Sequence, residues 1–162
     1  MKKLLRFFTL LGVLLSAVQA SSQEALPKYL WGMWRVTGVR LDSTFTRRPN
    51  YSYNDSRLLG HEFKITAKTA YGKMPEKATC IRPIIRSEST SMNELIESTM
   101  GKQEEQSEVE AVKRYNLPID GSKNLQVIWI GCKEGDFGPD APLGPEGFNW
   151  ITLVSENQIA MR

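Results

Sequence analysis

Glu62-Phe63-Lys64-Ile65-Thr66-Ala67-Lys68-Thr69-Ala70-Tyr71 sets Phe63, Ile65, Ala67, Thr69 and Tyr71 in strict alternation with Glu62, Lys64, Thr66, Lys68 and Ala70. Side chains with a period of two point to opposite faces of an extended chain, so the stretch predicts one strand with one wet face. Upstream, Tyr29 to Leu41 is rich in aromatic and β-branched residues and predicts another strand. Residues 42–60 between them are polar, with Arg47-Arg48-Pro49-Asn50 and Tyr51-Ser52-Tyr53-Asn54-Asp55, and predict a mobile loop.

Downstream, Cys80 to Ile85 predicts a further strand, and Pro83, which has no N–H for a ladder, assigns it to an edge or a bulge. Ser91-Met92-Asn93-Glu94 has the form of a capping box and opens a helix whose apolar residues fall at Met92, Leu95, Ile96 and Met100, with Gly101 as the stop. Glu104, Glu105, Glu108 and Glu110 form a solvated run, after which Val109, Ala111, Lys113, Tyr115 and Leu117 predict a strand. Leu125 to Cys132 is nearly all apolar and predicts a strand buried on both faces; Phe148–Val154 and Gln158–Arg162 predict two more. About seven strands with one short helix favour an antiparallel barrel or sandwich, which removes or protects strand edges, in a single domain over residues 21–162.

The chain opens with Met1-Lys2-Lys3-Leu4-Leu5-Arg6, then a short apolar run from Leu10 to Val18, then Val18-Gln19-Ala20. This is the build of a secretory signal peptide, and cleavage is expected after Ala20, giving a soluble periplasmic product. The run is shorter than the roughly 20 residues a membrane helix needs. The formal net charge of +3 belongs to that leader: removing Lys2, Lys3 and Arg6 takes the 21 basic side chains to 18, against 18 acidic ones. A neutral domain lacks the surplus of cations that nucleic acid or a polybasic membrane anchor requires. Cys80 and Cys132 are the two cysteines, and export places them where a bridge persists.

Gly32-Met33-Trp34 at the start of the first strand resembles the Gly-x-Trp signature of lipocalin-like (calycin) barrels. Asp55-Ser56-Arg57-Leu58-Leu59-Gly60 and Cys80-Ile81-Arg82-Pro83 are also similar to small lipocalin-like proteins of bacterial periplasms. The resemblance implies a lipocalin-like barrel of seven or eight strands. It also implies an end closed by an arginine stacked on the signature tryptophan, a part that falls to Arg162 and Trp34, with Gly32 beside them. The other loop signatures of the lipocalin family have no match, and the helix sits in mid-chain.

Nothing in the sequence assembles a catalytic set. His61 is the one histidine, in a Gly60-His61-Glu62 strand entry, and Gly-x-Ser-x-Gly, phosphate-loop and His-Glu-x-x-His motifs do not occur. A non-enzymatic protein without metal or cofactor is the expectation. The long Glu134–Gly147 stretch holds four glycines, three prolines and four acids around Phe137 and Leu143. Stiffened by proline, it suits docking to a protein, with Phe137 as the anchor, Leu143 as a further partner-binding apolar residue and Asp136, Asp140 and Glu146 steering a basic cleft; a passive surface loop is the competing reading. The leading expectation is therefore an inhibitor or immunity-type module that blocks a cell-envelope enzyme or toxin. The alternative is a lipocalin-like carrier of a small hydrophobic ligand, which requires an apolar cavity of roughly 300 to 1,000 Å3.

Overall fold

The computed structural model describes residues 25–44, 50–75, 78–101, 108–138, 145 and 147–162. Seven antiparallel strands form one sheet in the order of the chain: β1 Gly32–Arg35, β2 Glu62–Ile65, β3 Thr69–Gly72, β4 Ala78–Ser91, β5 Asn124–Phe137, β6 Asn149–Ser155 and β7 Gln158–Met161. The sheet curls through 280° into a half-barrel, and β1 and β7 are its two ends. The expected mainly β antiparallel fold with one short helix is what the chain adopts.

The predicted strand over 62–71 is a hairpin. Phe63 and Ile65 point inward as expected, but on the return strand Ala70 is buried and Tyr71 is exposed. The reversal is made by Thr66, whose amide donates to Thr69 O (2.8 Å) and whose hydroxyl oxygen accepts from the amides of Lys68 (3.3 Å) and Thr69 (3.0 Å). A threonine side chain thereby supplies the turn that no glycine or asparagine announces.

The strand expected over 29–41 shrinks to four residues. Lys28–Leu30 is a 3-10 helical turn, and the chain leaves the sheet after Arg35. The strand expected over 109–117 is instead the short helix α2, Ala111–Arg114. Buried Ala111 and Arg114 and half-buried Tyr115 fall on one face at helical spacing, whereas the period of two would have turned the exposed Lys113 inward. One strand lost and one gained by splitting leave the count at seven.

β4 is much longer than its predicted core of 80–85 and lies inside the sheet, paired with β3 on one side and β5 on the other. Pro83 is tolerated because pairing with β3 stops at Ile81, so from Pro83 onward the paired neighbour of β4 is β5. Arg82, with φ +53°, kinks the strand at this point. The kink reverses the alternation: Cys80 faces inward before it, Pro83 and Ile85 after it.

The capping box forms as the sequence predicts. Ser91 Oγ accepts from the Glu94 amide (3.2 Å), Glu94 Oε2 accepts from the Ser91 amide (3.2 Å), and the helix α1 runs Met92–Met100 to Gly101. It packs on β5, which is buried on both faces. Ile128 and Ile130 join Leu30, Phe63, Ile65 and Ile151 in one core, while Val127 and Trp129 join Leu95, Ile96, Val112 and Trp150 in another. Gly131 lets the Phe148 ring approach closely: a Cβ there would lie 2.9 Å from the ring, which would have to shift.

Candidate functional site

Between β1 and β7 the chain that leaves the sheet at Val36 runs as a strap toward α2. Its near end is tied by backbone bonds, Val36 N to His61 O and Gly60 N to Val36 O, both 2.9 Å. Its middle is tied to Asn54: the Val39 amide donates to Asn54 Oδ1 (3.2 Å) and the Asn54 amide to Val39 O (3.0 Å). Its far end is tied by a buried ion pair, Arg114 Nη1 to Asp42 Oδ2 at 2.9 Å, and by the Ser43 amide on Arg114 O (2.9 Å).

Under this strap lies a cavity of about 400 Å3. Val36, Val39 and Leu41 of the strap form one wall and Trp34 and Phe63 of the sheet a second. Ile96 and Met100 of α1, Tyr115 and Leu117 to Ile119 beyond α2, and Ile159 to Arg162 of β7 and the following residue complete it. The lining is predominantly apolar, and Trp34 brings no open donor, because its Nε1 donates to Leu30 O at 2.8 Å. Its charged and ionisable lining residues are Arg35, Arg40, Tyr51, Tyr115 and Arg162. Burial raises the Tyr115 phenol above its ordinary value, the Asp42 carboxylate adds to that, and Arg114 and Arg162 oppose it. Burial lowers the Arg162 guanidinium, with Tyr115 acting the other way. An arginine so placed remains a cation at neutral pH.

The 50–60 segment, expected to be mobile, is organised around one buried carboxylate. Asp55 accepts from the amides of Ser52 and Arg57 (both 2.9 Å) and from Arg57 Nε (3.0 Å) and Nη2 (2.7 Å). Arg57 then reaches Asn50 O (2.6 Å) and lies 4.8 Å over the Tyr51 ring. The side-chain bond to Arg57, then the two backbone bonds, hold the Asp55 carboxyl far below the usual carboxylate range. Leu58, carried by this turn, is buried at the cavity wall.

Of the residues singled out from the sequence, Trp34 and Arg162 line the same cavity, while Gly32 lies on β1 opposite Ile65 with φ +144°. Cys80 and Cys132 form the disulfide, with Cα atoms 5.3 Å apart. That bridge points to an oxidising, extracytoplasmic location, and no helix among the described residues is long and apolar enough to cross a membrane. Phe137 is a correction: it ends β5, is 3% exposed, and packs edge-on against Phe63 with ring centroids 6.4 Å apart, so it is no exposed anchor. Asp136 is exposed opposite Thr79, whereas Asp140, Leu143, Glu146, Glu104, Glu105 and the leader lie outside the described residues. His61 is half-buried and its Nδ1 donates to Lys73 O. The cavity walls formed by the strap, by Tyr115 and by the residues after α2 carry no sequence signal, because they are assembled by contacts between distant segments.

No protein-family model, curated protein or solved structure matches the chain.

Proposed function

We propose that this is an exported periplasmic, lipocalin-like carrier that holds a small hydrophobic molecule between β1 and β7. The observation that supports this reading is the apolar cavity of about 400 Å3, inside the roughly 300 to 1,000 Å3 range of small-molecule sites. An apolar ligand entering it leaves water without displacing a hydrogen-bonded group from Trp34. Tyr115 and Arg162 in the lining suit a ligand with one polar end. The reading as an inhibitor of an envelope enzyme depends on the 134–147 stretch, and with Phe137 in the core that stretch loses its intended anchor.

The test is titration with a fluorescent apolar probe, together with native mass spectrometry of the protein as recovered from cells. Saturable one-to-one binding that Ala160→Phe abolishes is the expected result, since Ala160 lines the cavity. Non-saturable binding, or an Ala160→Phe variant that binds like wild type, refutes the reading.

A further inference from the structure

The face of the sheet turned away from the core carries, at its β1 end, a set of side chains that the cavity does not use. Register places Met33, Lys64, Tyr71 and Thr79 in one row across β1, β2, β3 and β4. Met33 is 60% exposed and Tyr71 50%, and both, with Lys64 and Lys73, line one shallow surface groove. Tyr29 and Trp31, in and directly after the turn that leads into β1, are exposed as well. Trp31 is held in place by its Nε1 donating to Leu26 O at 2.8 Å. Four aromatic or sulfur side chains kept in water at one end of a domain that buries Trp129 and Trp150 call for a partner.

The charges around them say which. Lys64 and Lys73 line the groove, and Lys28 in the turn before β1 and Lys68 in the turn between β2 and β3 are exposed as well. The acids in the adjoining rows are already committed, Glu62 to Arg35 at 2.6 Å and Glu134 to Arg82, and the one acid in the row itself is Asp136, at its β5 end opposite Thr79. The domain as a whole is neutral, so this is a local positive surface, studded with tyrosine and tryptophan rings whose polar atoms and apolar bodies suit the headgroup level of a bilayer. We infer that the β1–β3 face, with Tyr29, Trp31, Met33 and Tyr71 inserted and Lys28, Lys64, Lys68 and Lys73 on the headgroups, docks on an anionic lipid bilayer. A protein surface would need acidic side chains registered with each lysine, whereas an anionic bilayer meets the whole cluster with a continuous negative surface. The inference stands whatever the cavity holds. β1 nonetheless presents Met33 to this face and Trp34 to the cavity, so a docked domain would set the cavity wall beside the lipid.

The experiment is flotation of the protein recovered after export, its N-terminus read by intact mass, with vesicles of phosphatidylglycerol and phosphatidylcholine or of phosphatidylcholine alone. Expected are binding to the anionic vesicles that weakens with added salt, and a blue shift of tryptophan emission that is lost in Trp31→Phe. A lysine near an anionic surface contributes roughly fivefold to partitioning, so Lys64→Gln with Lys73→Gln should weaken binding by roughly 25-fold. Lys113→Gln with Lys123→Gln, away from this face, should leave it unchanged. Equal binding to both vesicle types, no binding, or a Lys64→Gln/Lys73→Gln variant that partitions like wild type overturns the inference. So does a dimer in sedimentation velocity without vesicles that Met33→Asp dissociates, which would assign the face to a second copy of the chain.

Discussion

The Asp42–Arg114 pair offers the sharpest test of how the cavity is held. Both side chains are almost fully buried, 4% and 2% exposed, and they join positions 72 residues apart. Among the described residues Arg114 Nε has no hydrogen-bond partner, whereas Asp42 also accepts from the Thr44 amide at 2.9 Å and from its hydroxyl. Arg114→Met leaves a buried carboxylate whose cation is gone, and breaking a buried pair on one side costs about 3 to 5 kcal/mol. For a domain of this size that is roughly a 6 to 20 °C fall in Tm. Asp42→Asn strands the guanidinium, which already has one unsatisfied N–H, and should fall in the same range. The double variant Asp42→Leu/Arg114→Met removes both charges and should cost less than either single change, because the desolvation that the pair had to overcome disappears with it. Urea unfolding followed by tryptophan fluorescence, run as a double-mutant cycle, should therefore give a coupling energy of at least about 3 kcal/mol. Single variants within about 1 kcal/mol of wild type, or a double variant that equals the sum of the singles, would refute the claim that this pair pins the strap.

Two further outcomes follow from the same structure. Replacing Cys80 and Cys132 together by alanine, or reducing the bridge, opens a link between residues 52 apart and should cost on the order of 4 kcal/mol by the chain-entropy estimate; an unchanged urea midpoint under reductant would contradict it. Because the folded-state pKa of Asp55 lies below its unfolded value, its contribution to stability is complete above the ordinary carboxylate range and is lost as pH falls through and below it. Unfolding free energy measured from pH 6 to pH 2 should fall more gently in Asp55→Asn than in wild type, and parallel curves would sink the assignment.

What the sequence shows and what it hides divide along locality. The capping box at Ser91 and Glu94 is complete within four residues, and the apolar run of β5 is long enough to state its own burial, so both are legible. The Thr66–Thr69 turn is local too, but a threonine hydroxyl serving two amides looks in sequence like one more polar position in an alternating strand. Phe137 illustrates the harder case. Continuing the inward series Ile128, Ile130 and Cys132 by twos would turn Phe137 outward, into the acidic glycine- and proline-rich stretch where the sequence places it. The alternation reverses on β4 and β5 together, where the kink at Arg82 lies between the Ile81–Glu134 and Pro83–Cys132 pairs, so Gly135 faces with Cys80 and Phe137 turns inward onto Phe63. Two left-handed residues, Arg82 with φ +53° on β4 and Gly135 with φ +76° on β5 itself, set the face, and composition does not reveal it.

The cavity has a related origin. Had Val36 to Leu41 continued as strand, as its β-branched composition predicts, β1 would be roughly 20 Å longer at about 3.3 Å per residue, with edge enough to approach β7. Instead, Val36 bonds back to His61 and Gly60, and Asp42 is drawn into the interior by Arg114, so the segment is pulled across the open seam rather than along it. An extended strand fills a seam with paired backbone, whereas a strap fixed at three points spans it and leaves space beneath. The void under the strap therefore follows from three particular attachments, to His61/Gly60, Asn54 and Arg114, and the one farthest away in sequence is the buried ion pair. Loosening that pair should consequently change the affinity for an apolar probe titrated into the cavity before it changes the sheet, because the ladder from β2 to β7 uses none of its atoms.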